Sequence, residues 1–252
     1  MSTTGTEALE ALEAREAAAG AAVKRSYVQR MFSQIAPRYD LLNRVLSLGI
    51  DRSWRRRTLT RLGWERRPDG TYLDLCAGTL DVSAALCRTA GFRGRVVAAD
   101  FAEPMLRAGL GKAREGSLAP VVADALSLPI GTSRCDGAIV AFGIRNVAGL
   151  PAALREVYRV LAPGARFVIL EFSTPQLATM RTLYLLYFHH ILPLVGRFVS
   201  GHRTAYRYLP ESVANFPEGS ELARQMTEAG FARVSWETLT LGIAAIHVGE
   251  KP

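Results

Sequence analysis

The sequence predicts an α/β fold built on one mostly parallel sheet with helices on both faces, preceded by a helical extension. From Thr71 onward, short apolar runs alternate with segments of helical spacing, which is the pattern of βαβ units. The chain has 252 residues, 49% apolar and 21% charged, enough to bury the core of one sizeable domain and too apolar for a disordered chain. Its 22 Gly and 12 Pro follow no period, and its three cysteines (Cys76, Cys87, Cys135) are an odd number. Collagen-like and disulfide-stapled folds are therefore excluded, and the cysteines read as reduced thiols of an intracellular protein.

Residues 1–25 lack the basic start and apolar core of a signal peptide, and their Ala and Glu content reads as a polar, frayed helix or a disordered tail. Residues 26–252 read as a single domain in three parts. Over 26–66, the spacing of Met31, Ile35, Leu41, Leu42, Val45, Leu46 and Leu48 predicts helices. Over 67–175, the runs TYLDLC, RVVAAD, PVVAD, DGAIVAF and ARFVILEF predict strands, alternating with the helical VSAALCRTA, PMLRAGLGKAR and LPAALREVYRVL. Right-handed crossovers then place any ligand at the carboxyl ends of these strands. Over 176–252, the apolar MRTLYLLYFHHILPLVGRFVSG is interrupted by His189, His190, Pro193 and Arg197, so it reads as helices over the site or a lipid-touching surface rather than a span. The closing FARVSWETLTLGIAAIHVGEKP reads as two strands joined through Leu241 and Gly242, an antiparallel hairpin.

The formal charge of +8 is unevenly spread. Seven arginines (Arg52, Arg55, Arg56, Arg57, Arg61, Arg66, Arg67) stand against Glu65 alone. Such a cluster attracts phosphate on nucleic acid or on a membrane, or simply solvates a helix face.

The chemistry concentrates where the strands end. The first strand carries Asp74 and runs through Gly78 into a helix, a small-residue turn whose N–H groups can approach a ligand. The second ends in Asp100 before Phe101, where an acid commonly holds the two hydroxyls of a ribose. The third ends in Asp124 before Ala125, where a carboxylate and an amide can read an adenine edge. A dinucleotide would need three glycines in the turn, whereas Cys76 and Leu80 occupy the outer two positions. A ligand with adenosine and no phosphate fits better, and S-adenosylmethionine is the obvious one.

These residues carry a resemblance. From Val28 to Lys251 the chain resembles the ubiquinone/menaquinone biosynthesis C-methyltransferases, within the class I S-adenosylmethionine-dependent methyltransferases. The carrying segments are MFSQIAPRYDLLNRVLSLGIDRSWRR, DFAEPMLRAG, AFGIRNV, ALREVYRVLAPGARFVILEFSTP, AYRYLPESV and GIAAIHVGEK. The resemblance implies a Rossmann-like seven-stranded sheet with the last strand antiparallel. It implies cofactor contacts at Thr79, Asp100, Asp124 and Ala125, and at Ala141, where the family often has serine. Leu80 and Ala165 replace family glycines, and a leucine forced to positive φ at the former costs about 1 kcal/mol or more.

The implied reaction is methyl transfer to a ring carbon of an isoprenoid quinol, demethylmenaquinol or a ubiquinone precursor, without a metal. Arg145 stabilises the phenolate and orients a proton-accepting water, with Asn146 positioning it; Tyr39, Asp40, Tyr206 and Tyr208 form the quinol pocket. His247 reads as a proton relay or a structural residue, and three cysteines without close pairing make no zinc site. The tail keeps the substrate in the bilayer, so the implied setting is cytoplasmic and peripheral to an anionic membrane, as a homodimer or within a quinone-synthesis assembly, with no nucleic-acid partner. An RNA methyltransferase and a non-catalytic, cofactor-binding scaffold are the rival readings.

Overall fold

Central runs of Val, Ile, Leu and Ala without polar alternation suit strands covered on both faces. A computed structural model of the chain describes residues 12–20, 23–114, 116–187 and 203–252, without the side chains of 42, 45, 46 and 203–207. Its strands are β1 (Thr71–Leu75), β2 (Arg95–Asp100), β3 (Leu118–Val122), β4 (Cys135–Ala141), β5 (Leu161–Phe172), β6 (Ala232–Leu239) and β7 (Ala244–Glu250). They form one sheet in the order β3-β2-β1-β4-β5-β7-β6. β7 is antiparallel to β5 and β6, the remaining pairings are parallel, and the closing segment is the expected hairpin.

The register brings the ends of the strands together. Leu75 pairs with both Ala99 and Val140, and Asp100 with Val122, so the carboxyl ends of β1 to β4 share one edge on which the strand order reverses beside β1. Helices α7 (Leu150–Val160) and α10 (Gly219–Glu228) bury Leu154, Val157, Leu222 and Met226 on one face. On the other, α4 (Asp51–Leu62) and α5 (Asp81–Cys87) bury Trp54, Leu59, Leu62, Val82 and Leu86. α6 (Glu103–Gly109) stops short of the predicted end because Leu110 takes extended backbone and Gly111 positive φ.

Two expectations are sharpened. Residues 12–18 form a helix, α1, the helical one of the two alternatives, and it is packed rather than frayed: Ala14, Ala17 and Ala18, spaced on one helical face, are buried against α2 (Lys24–Ile35) and Tyr208. Residues 1–11 lie outside the described part. The arginine cluster is not a free basic face either. Arg55 pairs with Asp51 and Asp81, Arg57 and Arg61 with Glu237, Arg66 with Glu250 and Arg67 with Asp136. α4 lies against the sheet, so its arginines meet carboxylates from distant strands. Of the seven, only Arg52 and Arg56 lack an ion pair among the described residues.

Of the apolar run, the described portion is α8 (Ala178–Leu186) and Tyr187; His189, His190 and His202 lie outside it. Among the described residues no helix is long and apolar enough to cross a membrane. Two further helices, α3 (Tyr39–Leu46) and α9 (Arg203–Ala214), complete the cover over the strand ends.

Candidate active site

The turn after β1 is held in left-handed backbone. Cys76 (φ 52°), Gly78 (φ 52°) and Leu80 (φ 65°) lie there, as does Phe142 (φ 61°) after β4. Only Gly78 adopts this freely; the other three are strained positions gathered at the strand ends, as functional turns often are. Gly143 is required by contact, since a Cβ there would stand 2.3 Å from the Cβ of Cys76.

Asp100 ends β2 facing this turn. Its Oδ2 accepts the Gly78 N–H and its Oδ1 the Ala102 N–H, each at 2.8 Å. Burial pushes its pKa up, and the backbone donors oppose the shift. A cavity of about 60 Å³ opens beside it, lined by Gly78, Phe101, Asp124, Ala125, Ala141 and Asn146. It is roofed from the amino-terminal region by Arg25, Phe32 and Tyr39. Arg25 pairs with Asp124 at 3.0 Å, and Gln29 Nε2 donates to the Phe101 carbonyl at 3.1 Å. Two carboxylates beside an apolar slot suit an adenosine. The slot is narrow compared with usual ligand cavities of about 300–1,000 Å³, and α2 is what narrows it.

Two residues assigned to the cofactor stand elsewhere. Asp74 faces the amino end of α5, where its Oδ2 accepts the Ser83 N–H at 3.0 Å and the Ser83 hydroxyl at 2.6 Å. It caps a helix, and complete burial pushes its pKa up to about 7. Thr79, 3% exposed, donates its hydroxyl to Asp40. Asp40 in turn leaves the quinol pocket assigned to it: it accepts from Thr79 and from Lys112, which also reaches Asp81 at 2.8 Å. This network clamps α3 onto the strained turn because two carboxylates converge on one ammonium.

A second cavity, about 330 Å³, adjoins the first. Phe32, Tyr39, Phe142 and Asn146 line both, and Met31, Ile35, Trp54, Phe172, Leu183, Tyr184, Tyr208 and Ile243 make the second markedly apolar. Arg145 lines it while being 8% exposed. Its Nη1 donates to Glu171 Oε2 at 2.8 Å and to the Phe142 carbonyl at 2.5 Å, its plane lies over Phe172, and Lys24 Nζ binds its carbonyl oxygen at 2.8 Å. Burial is the largest influence and opposes the charge, but Glu171 together with Tyr39 and Tyr208 outweighs it and the guanidinium pKa is raised. Arg145 Nε and Asn146 Oδ1 are buried without a hydrogen-bond partner among the described residues. They leave one buried donor and one buried acceptor unsatisfied in residues that line the cavity.

Tyr208 lines this cavity, its ring 5.5 Å from that of Tyr27, and burial pushes its phenol pKa up. Tyr206 shares α9 with it, its side chain outside the described residues. His247 stacks on Trp236, and its Nε2 meets the Gly219 carbonyl at 2.9 Å, lining neither cavity; it is structural. Among the described residues no His/Cys/Asp/Glu group could hold a metal.

Residue reading missed Glu171, Lys24 and Arg25. Glu171 had a signal, a lone acid inside the apolar strand ARFVILEF, which demands a partner. Lys24 and Arg25 had none, since they fell within the supposed tail.

A parallel sheet closed by one antiparallel strand, an acid after β2 gripping the β1 turn, and a second acid after β3 define a class I S-adenosylmethionine-dependent methyltransferase. A solved S-adenosylmethionine-dependent methyltransferase from Thermotoga maritima shares the fold, with a TM-score of 0.59 and 16% identity, covering 88% of this chain and 99% of that one. More particularly, the chain belongs to the ubiE/COQ5 methyltransferase family, whose sequence pattern matches residues 21–251. It is 49% identical over 224 residues to the demethylmenaquinone methyltransferase of Thermus thermophilus, spanning 88% of this chain and 100% of that one. Over 232 residues it is 41% identical to the ubiquinone/menaquinone biosynthesis C-methyltransferase UbiE of Geotalea daltonii, spanning 90% and 97%. The RNA-methylating and scaffold readings are not favoured by this membership.

Proposed function

We propose that the protein methylates a ring carbon of a demethylated isoprenoid quinol, converting demethylmenaquinol to menaquinol, with the demethylated ubiquinone precursor as a second substrate. The observation that carries this is the mostly apolar cavity adjoining the cofactor slot, with Arg145 and Asn146 in its lining. The names of the relatives point the same way.

A quinol hydroxyl fits the two unsatisfied atoms, donating to Asn146 Oδ1 or accepting from Arg145 Nε. S-adenosylmethionine, when bound, supplies an electrophilic methyl group. Loss of the phenolic proton to water gives the adjacent ring carbon carbanion character. That carbon forms the new C–C bond as the S–CH₃ bond breaks and its electron pair stays on sulfur. The ring proton then leaves to water, restoring aromaticity. Arg145 is a poor base, with a pKa above about 12; it stabilises the developing phenolate from a preorganised position and orients the accepting water. Asn146, lining both cavities, keeps the ring in line with the methyl group. Phe142, Phe172 and Trp54 keep water away and pack the ring.

The long tail, worth about 0.8 kcal/mol per buried methylene, holds this substrate in a bilayer. We accordingly place the enzyme at the cytoplasmic face of an anionic membrane, alone, as a homodimer or within a quinone-synthesis assembly. The reaction is tested by incubating the protein with S-adenosylmethionine and each reduced, demethylated quinone in turn and weighing the product by mass spectrometry. A gain of one methyl group on demethylmenaquinol is expected; no gain on either quinol overturns the reading.

A further inference from the structure

The mouth of the larger cavity is ringed by leucines that the fold leaves in water. Leu48, 82% exposed, and Leu183, 60% exposed, line it, and Leu241, 62% exposed, sits between the lining residues Thr240 and Ile243. Two of them occupy turn tips in left-handed backbone, Leu48 at φ 51° and Leu241 at φ 57°, with Thr240 at φ 47° beside the latter. Turns of this shape are served by Gly or Asn, and bulky or β-branched residues are unfavourable there. These leucines combine backbone strain with apolar surface in water, and neither penalty is offset by packing. The nearby cations differ from most of the arginine cluster. Arg44 on α3, Arg52 and Arg56 on α4, and Arg181 on α8 form no ion pair among the described residues, whereas Arg55, Arg57, Arg61, Arg66 and Arg67 all do.

We propose that Leu48 and Leu241 are paired insertion tips that seat the cavity mouth in an anionic lipid surface. The unpaired arginines meet the head groups, and the quinol then passes between bilayer and cavity without crossing water. This rests on the quinol reading above, and it moves the membrane contact from the arginine cluster as a whole, five of whose seven members are ion-paired within the fold, to the rim of the cavity. Two short apolar insertions beside cations are the pattern of a reversible interfacial contact.

The test is sedimentation of the full chain with phosphatidylcholine–phosphatidylglycerol vesicles, comparing wild type with Leu48→Asn/Leu241→Asn. Asparagine accepts left-handed backbone, so the double variant keeps or raises Tm. Its vesicle partition falls about tenfold or more. Leu241→Asn alone slows methylation of vesicle-borne demethylmenaquinol and leaves that of a short-tailed, soluble analogue unchanged. Vesicle retention equal to wild type overturns the proposal. So does a wild-type dimer that the double variant loses while still binding vesicles, since the leucines then face a second copy. Vesicle binding through these leucines without methylation of any quinol fails the quinol reading and upholds the docking surface. Methylation of the soluble analogue by a wild type that never binds vesicles does the reverse.

Discussion

Arg145 keeps its charge among apolar side chains because Glu171, 1% exposed, stands 2.8 Å away on the end of β5. The pair therefore acts as one unit, a cation at the cavity lining and the anion that holds it. Arg145→Ala should lower turnover about 10²- to 10³-fold, with cofactor affinity measured by calorimetry nearly unchanged; equal loss of both would make Arg145 structural. Glu171→Gln leaves a buried cation unpaired and should lower stability by about 3–5 kcal/mol in denaturant titration. Asp74 makes a pH prediction of definite sign. Its folded pKa, about 7, lies above its unfolded value of about 3.9, so its contribution to stability is fully present below about pH 4 and is lost as pH rises through 7. Asp74→Asn should flatten that decline, the difference from wild type growing between pH 4 and 7 in thermal melts. Asp74 also shows the reach of residue-level reading. An acid on the first strand was visible, but whether it faced ligand or helix depended on which side of the pleat met α5.

At the scale of elements, α2 is the part with consequences for the cofactor. It reaches the smaller cavity through Arg25–Asp124 and Gln29–Phe101, so a ligand that uses Asp124 competes with the Arg25 pair. The Arg25 side chain is 64% exposed, and an exposed pair contributes little, about 0–1 kcal/mol. Arg25→Ala should tighten S-adenosylmethionine binding by up to about fivefold and speed association in stopped flow; weaker binding would show that Arg25 contacts the ligand instead. The strands and α7 were legible because their periodicity is local and their runs are long. α1 was not, since alanine carries little hydrophobic signal and its buried stripe has meaning only once Tyr27 and Tyr208 lie beside it. Leu80 was half legible. Its left-handed backbone follows from the turn, but the reason it is tolerated lies in tertiary contact, the side chain being completely buried against Ala98 and Leu106.

Across the whole molecule, the amino-terminal helices and α9 enclose a catalytic chamber over one edge of the sheet. α1 belongs to that enclosure through its alanines and through Arg15, which pairs with Glu211 of α9 at 3.2 Å. Removing residues 1–20 should cost about 1–2 kcal/mol, a Tm drop of about 2–8 °C in a chain of this size. It should raise KM for quinol more than for cofactor, because the uncovered Met31 and Tyr208 border the larger cavity; equal effects on both would place α1 outside the substrate enclosure. Order along the chain and apolar period determined the alternating sheet, the edge where ligands bind and the acids that stand there, since these depend on neighbours a few residues apart. Tertiary structure alone decided that most of the arginine cluster is neutralised, that Glu171 holds Arg145, and that Asp40 clamps a turn instead of lining a pocket. Each of those outcomes is a meeting of distant residues, 180 apart for Arg57 and Glu237, and charge meets its partner only when the fold has set the distance.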